Sequence, residues 1–151
     1  MASIIETVHT PWAIEDAFDF ISDFRRIAEW DPSVLSCHQT SGAAAALGAT
    51  YDVAVRFAGR TTTMRYEIME SSRPQHLVLH GLTAANKAVD DIQFESVASG
   101  TRITWRLTLS SRGPLRVFDS VVAPLIRRPL HTLGKKAMEG LAAALEGQRI
   151  V

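Results

Sequence analysis

An α+β fold is predicted for this chain: a curved antiparallel β-sheet covered on one face by a long C-terminal helix. Three observations predict it. Between residues 51 and 109, apolar and polar residues alternate in segments separated by short turns, which is the period-2 signature of strands in a meander. From Pro114 to Gly147, apolar residues recur three, four or eight apart and trace a helical stripe. Ahead of both lies a short β-branched segment followed by two helical ones. With 151 residues, 46% of them hydrophobic, the chain can bury one good core and is expected to form one domain over residues 1–151.

Ser3–His9 is read as the first strand. Thr10-Pro11 opens a helix, with Thr10 as N-cap and Pro11 at the first helical position, where a missing N–H costs nothing. Ile14, Ala17, Phe18, Ile21 and Phe24 keep helical spacing, while Glu15, Asp16, Asp19 and Asp23 stay outside. Arg25–Trp30 forms a second short helix that stops before Asp31-Pro32, because a residue preceding proline avoids helical backbone. Ser33–Thr40 is a strand, and Ser41–Gly48, with glycines near both ends, is a loop. Tyr51, Val53, Val55 and Phe57 then face one way, Ala58-Gly59-Arg60 turns the chain, and Met64, Tyr66 and Ile68 face inward on the next strand. Ser72–Gln75 turns into the strand His76–Leu82. Leu82–Val89 is expected to be a loop at the mouth of a cavity. Asp91–Val97 and Arg102–Leu109 pair across Ala98-Ser99-Gly100, with Ile103, Trp105, Leu107 and Leu109 on one face.

The terminal helix starts at Gly113-Pro114, and Gly147 supplies a left-handed residue to close it. Its stripe is Phe118, Val122, Leu125, Leu133, Ala137, Leu141 and Leu145, opposite Arg116, Ser120, Arg127, His131, Lys135, Glu139 and Glu146. At 1.5 Å per residue such a helix is roughly 50 Å long, so something broad lies under it. Pro124 and Pro129 each remove a backbone hydrogen bond, which predicts a bent lid over Pro114–Arg128 and a straight clamp from Pro129 onward. A twisted sheet around such a helix leaves a space between them.

Composition excludes several classes. The 16 basic and 16 acidic side chains cancel, which argues against a nucleic-acid partner. Cys37 stands alone, so no internal disulfide is available and a reducing compartment fits. The opening MASIIETVHTPW has no signal-peptide pattern, and no apolar run approaches the ~20 residues of a membrane span. A cytoplasmic protein is expected, as monomer or homodimer.

The segment Trp12–Val34, WAIEDAFDFISDFRRIAEWDPSV, resembles the opening of the START-like (SRPBCC) superfamily: a helix, an aspartate-containing turn, then tryptophan and proline before the second strand. Leu47-Gly48-Ala49-Thr50-Tyr51, Tyr66-Glu67-Ile68, Gly100–Trp105 and Pro124–Arg128 continue the likeness over nearly the whole chain. Within the superfamily the chain is most similar to proteins labelled polyketide cyclase/dehydrase. The resemblance implies a helix-grip fold with an internal pocket for an apolar or amphipathic small molecule.

The residues that offer chemistry read mostly as bland. His76 and His80 are four apart, which on a strand is about 13 Å and too far to share an ion, so no metal site is predicted and the two are expected to be exposed or at a sheet edge. Cys37 and His38 point to opposite faces of a strand, and Cys37 reads as a small buried hydrophobe. Neither Asp90-Asp91 nor Glu67/Glu70 shows the convergence that acid–base work needs. No phosphate-cradling or dinucleotide motif is present, and no cofactor is predicted. Arg127, Arg128, Lys135 and Lys136, with Arg112 and Arg116 upstream, form either an ordinary solvated face or a transient contact with anionic membrane.

What remains is an inward apolar set nearly without ionisable groups: Trp30, Tyr51, Val53, Val55, Phe57, Met64, Tyr66, Ile68, Trp105, Leu107, Phe118, Val122 and Ile126. Part of it is packed core. The rest is expected to line a pocket for a lipid, polyketide, quinone or aromatic molecule, with Trp30, Tyr66 and Trp105 shaping it and Tyr51 and Tyr66 orienting a polar group. The alternatives are a cyclase or dehydratase with Tyr66 as the candidate catalyst, and a protein-interaction module.

Overall fold

The computed structural model describes residues 1–150 and has the α+β architecture that the alternation predicts. Eight strands form one antiparallel sheet: β1 (Ala2–Thr10), β2 (Val34–Ser41), β3 (Thr50–Phe57), β4 (Arg60–Ser72), β5 (His76–Leu82), β6 (Asn86–Val97), β7 (Gly100–Ser111) and β8 (Gln148–Ile150). Their order across the sheet is β2-β3-β4-β5-β6-β7-β1-β8, a meander closed by the N-terminal strand. Two helices complete the fold, α1 (Ile14–Ser22) and α2 (Asp119–Ala144), with 3₁₀ turns at Phe24–Glu29 and Gly113–Phe118. One face of the sheet holds the core, from Val8 on β1 through Val53 and Ile68 to Ile103 on β7, and α2 lies across that face.

Three local expectations are corrected. Thr10 does not cap α1, which begins at Ile14 with Ala13 before it. Thr10 ends β1 instead, where its buried hydroxyl donates to the Leu145 carbonyl (2.6 Å) and accepts from the Trp12 amide (3.1 Å). Leu82–Val89 is not a loop. β6 begins at Asn86, leaving a tight turn in which Thr83 Oγ1 accepts the amides of Ala85 and Asn86. His76 and His80 lie on β5 in the middle of the sheet, on its outer face and half-buried rather than at an edge.

The helix stripe is corrected in phase over its first half, while Ala137, Leu141 and Leu145 are buried as expected. The inward residues are Ala123, Leu130, Gly134, Ala137, Met138, Leu141 and Ala142, whereas Leu125 is 74% and Phe118 55% exposed. Phe118 falls in the 3₁₀ turn, where the period is three, and the eight-residue step from Leu125 to Leu133 is roughly two and a quarter turns, which rotates the face. Both prolines lie inside a continuous α2. At its end Glu146 takes the left-handed conformation (φ 56°), not Gly147.

Glycines set how close α2 comes to the sheet. A Cβ on Gly134 would stand 2.1 Å from Ile4 Cδ1, one on Gly140 1.9 Å from the Trp30 carbonyl oxygen, and one on Gly147 2.0 Å from the His9 carbonyl oxygen. The C-terminal half of α2 therefore rests directly on backbone and on β1. By helix propensity alone Gly140→Ala would stabilise by about 1 kcal/mol. Here the collision reverses the sign, and urea denaturation is expected to show a net loss of about 1–3 kcal/mol, in the range of overpacked cores.

On the outer face, His76 Nε2 donates to Asp91 Oδ1 (2.7 Å) and Nδ1 to Glu70 Oε2 (3.0 Å), so both ring nitrogens face carboxylates. Burial pulls its pKa down, but the two acids outweigh this and raise it. A raised imidazole pKa contributes stability below its unfolded value and loses it as pH rises through the folded one. His76→Gln is accordingly expected to lower the thermal midpoint at pH 5.5 and to have a much smaller effect at pH 9.

Candidate ligand-binding cavity

Where α2 leaves the sheet, a cavity of about 360 Å³ remains between them. Its floor comes from alternate residues of neighbouring strands: Val53, Val55 and Phe57 on β3, Met64 and Tyr66 on β4, Ala88, Asp90 and Ile92 on β6, Trp105, Leu107 and Leu109 on β7. The roof is Val122, Ile126, Leu130 and Leu133 of α2. Phe24, Ile27, Trp30 and Asp31, on the 3₁₀ turn and the residues after it, close one side. Ala58 and Arg60 of the β3–β4 turn, with Thr83 and Asn86 of the β5–β6 turn, contribute exposed or half-buried rim residues beside the first half of α2. That half carries only Ala123 and Leu130 as buried residues, so it spans the opening and does not pack it shut.

Ten of the thirteen predicted positions meet here: Trp30, Val53, Val55, Phe57, Met64, Tyr66, Trp105, Leu107, Val122 and Ile126. Tyr51, Ile68 and Phe118 do not. Tyr51 is fully buried in the neighbouring core, with its hydroxyl accepting from the Ala45 amide (3.3 Å), so it does not orient a ligand. Ile68 is core behind it, and Phe118 points to solvent. Phe24 was not among the predicted positions, yet its ring packs against both Tyr51 (5.7 Å between centroids) and Tyr66 (5.2 Å).

The expectation of an inward face nearly free of ionisable groups is overturned at one end. Asp90 is buried in the cavity wall, and Trp105 Nε1–H donates to its Oδ1 at 2.7 Å. Tyr66 stands close enough to perturb this carboxyl without completing a hydrogen bond, and Asp90 Oδ2 has no partner. Asp31 is buried nearby, its Oδ1 accepting from the Ser33 amide (2.9 Å) and hydroxyl (2.7 Å). Burial raises the Asp90 pKa to about 7, with the Asp31 charge adding to it and the Trp105 donor and the nearby Tyr66 hydroxyl opposing. Burial likewise raises Asp31, against the Ser33 donors. The Tyr66 phenol is held well above its usual range by burial first and then by the two acids.

Tyr66 has this place because its register partner is Gly81. A Cβ there would sit 2.5–2.8 Å from the phenol ring, so the ring lies over the bare glycine backbone. Asp90 begins no strand: β6 starts four residues earlier and turns it inward. The available signal was the alternation Ala88, Asp90, Ile92, Phe94, in which an acid occupies a core position. Cys37 is half-buried, and burial pushes its thiol up to about 11, consistent with an inert side chain.

Sheet, gripping helix and apolar cavity with one polar end define a START-like helix-grip protein. The chain belongs to the polyketide cyclase / dehydrase and lipid transport family, whose model matches residues 1–146. Solved structures agree on the fold. A START superfamily protein from Mycobacterium smegmatis superposes with a TM-score of 0.78 at 12% identity, covering 97% of this chain and 98% of that one. The Zhui aromatase/cyclase from Streptomyces sp. R1128 gives 0.77 at 10% identity, over 95% and 93%. Ara h 8.0201 gives 0.68 at 13%, over 95% and 97%. At such identities the likeness concerns the fold alone. No functionally curated protein matches the chain.

An acid whose folded pKa is raised favours folding below its unfolded value and opposes it as pH climbs to the folded one. Asp90→Asn keeps the oxygen that accepts from Trp105 and removes the charge. In chemical denaturation its stability relative to the parent is expected to rise between pH 4 and pH 8 by a few kcal/mol and then level off. A constant difference across that range would contradict a buried, neutralised Asp90.

Proposed function

We propose that this protein binds a hydrophobic or amphipathic small molecule in the cavity between sheet and helix, as a carrier or sensor. The observation that carries the reading is the cavity itself: about 360 Å³, with a wall mostly of aliphatic and aromatic side chains. Sites for small molecules are built this way, an apolar wall with a few placed polar groups. The family description, which joins polyketide chemistry to lipid transport, supports the same class of molecule. Native mass spectrometry after mild purification tests it through a co-purifying molecule. Ala88→Phe, which fills the wall from β6, is expected to weaken binding of anthracene at least tenfold while the circular dichroism spectrum stays unchanged; equal affinity in the variant would count against the cavity.

Loading is proposed to take place at an anionic membrane surface. Leu115, Val117, Phe118, Val121 and Leu125 are all exposed, and they crowd the 3₁₀ turn and the first half of α2 that roofs the cavity. Arg112, Arg116, Arg127 and Arg128 are exposed among them. Apolar side chains with cationic neighbours are the pattern that enters an anionic interface. No helix among the described residues is long and apolar enough to cross a membrane, so the contact is peripheral. Co-sedimentation with phosphatidylglycerol vesicles, reduced by Val121→Ser with Arg127→Glu and absent with phosphatidylcholine vesicles, is the expected result.

A second reading, a cyclase- or dehydratase-like enzyme, is favoured by Tyr66 and Asp90 standing together at the polar end. Positioning plus one general acid is enough for such chemistry. In that case Tyr66→Phe lowers turnover of a polyketide-like substrate far more than its binding, and an unaltered rate removes the named catalyst.

A further inference from the structure

Polarity changes along the cavity floor from its deep end to its mouth. On β4 the inward positions run Tyr66, Met64, Thr62 and Arg60, the first two buried and the last two exposed. On β6 they run Asp90, Ala88 and Asn86, of which only Asn86 is exposed. Arg65 pairs with Leu82, so the β5–β6 turn begins beside this stretch of β4. Arg60 is the one cationic side chain in the lining, and it makes no ion pair among the described residues. A second guanidinium without an acidic partner, Arg112, donates to the Thr83 carbonyl on the same rim. The deep end has the opposite character: its ionisable groups are the buried acids Asp31 and Asp90 and the Tyr66 phenol, and no cation lines it.

We propose that the bound molecule is an amphiphile with an oxyanion head, carboxylate or phosphate, held at the mouth by Arg60 and Arg112 while its apolar body extends inward to Trp105. This rests on the reading of the cavity as a binding site for a hydrophobic or amphipathic molecule. It adds the charge of the head and the direction in which the molecule enters. A guanidinium presents a planar fork of donors that matches both oxyanions. No acid in the lining competes for it at the mouth, since Asp31 and Asp90 are buried. Asp119, which shares a smaller hollow with Asn86, is already held by the Ser111 amide and the N-terminal ammonium. The reverse orientation sets the anion against two carboxyls with no cation to meet it, and an unpaired buried charge is costly. A cationic head would instead meet Arg60 and Arg112 at the mouth. With an anionic head there, the charge stays hydrated and the apolar body supplies most of the affinity.

The test compares dodecanoate, dodecyl phosphate, dodecanol and dodecyltrimethylammonium by isothermal titration calorimetry at pH 8 and low salt, using the full chain. At least one of the two anions is expected to bind about fivefold tighter than the alcohol, the worth of an exposed ion pair. The anion that gains names the head group, and the ammonium compound binds more weakly than the alcohol. The preference fades in about 1 M sodium chloride, where the screening length is about 3 Å. Arg60→Gln combined with Arg112→Gln binds anion and alcohol about equally, and its unchanged alcohol affinity reports that the cavity is intact. Direction is read from bromine quenching of Trp30 and Trp105, since Trp12 lies outside the lining. A dodecanoate brominated at its far end is expected to quench more strongly than one brominated beside the carboxylate. Neither anion exceeding the alcohol in the parent protein overturns the proposal. So does a preference that survives the double substitution, the reverse order of quenching, or anion binding that Ala88→Phe leaves unchanged. Failure of all four probes to bind overturns the cavity reading itself, a result distinct from these.

Discussion

The structure depends on how closely α2 can approach the sheet, and that distance differs between its two halves. Over the second half, Gly134 brings helix backbone against the Ile4 side chain, and Gly140 brings it against the Trp30 carbonyl. Over the first half, Val122, Ile126, Leu130 and Leu133 reach down without meeting the opposite wall. A helix seated hard at one end of a twisted sheet stands away from it at the other. The cavity is thus a consequence of where the small residues fall, and the fixed end is what keeps the open end from collapsing.

That geometry also explains why the polar end is placed where it is. Gly81 lets the Tyr66 ring lie on the sheet, Trp105 reaches Asp90 from the neighbouring strand, and Asp31 enters from the turn after Trp30. None of these groups neutralises another with a full charge. Elsewhere the molecule does pair its inward acid: Glu6 on β1 is bound by Arg149 through two hydrogen bonds of 2.7 and 3.1 Å. Glu6 is thereby satisfied by the chain itself, whereas Asp90 keeps one oxygen without a hydrogen-bond partner, sealed within the wall.

Much of this was legible in the sequence. Alternation along Tyr51–Phe57, Met64–Ile68 and Ile103–Leu109 gave the strands and the correct inward face, because one buried face forces period 2. The resemblance through Trp12–Val34 led to the family. Long-range facts were not legible. Tyr51 and Tyr66 look equivalent on adjacent strands, and only the loop amide of Ala45 distinguishes a structural phenol from one in the cavity. The helix face drifted because a 3₁₀ turn and an eight-residue step each broke its phase. The strand was expected to begin only at Asp91, whereas one that starts at Asn86 takes in Asp90 and turns it inward.

The central claim is that the space under the first half of α2 is truly hollow and apolar. Crystals of the protein equilibrated under xenon pressure test it most directly, since xenon settles only in dry voids lined by such side chains. Xenon density bounded by Val53, Trp105, Leu107 and Ile126 is the predicted result. No xenon there, with Leu107 and Ile126 in van der Waals contact across a closed interior, would contradict the account.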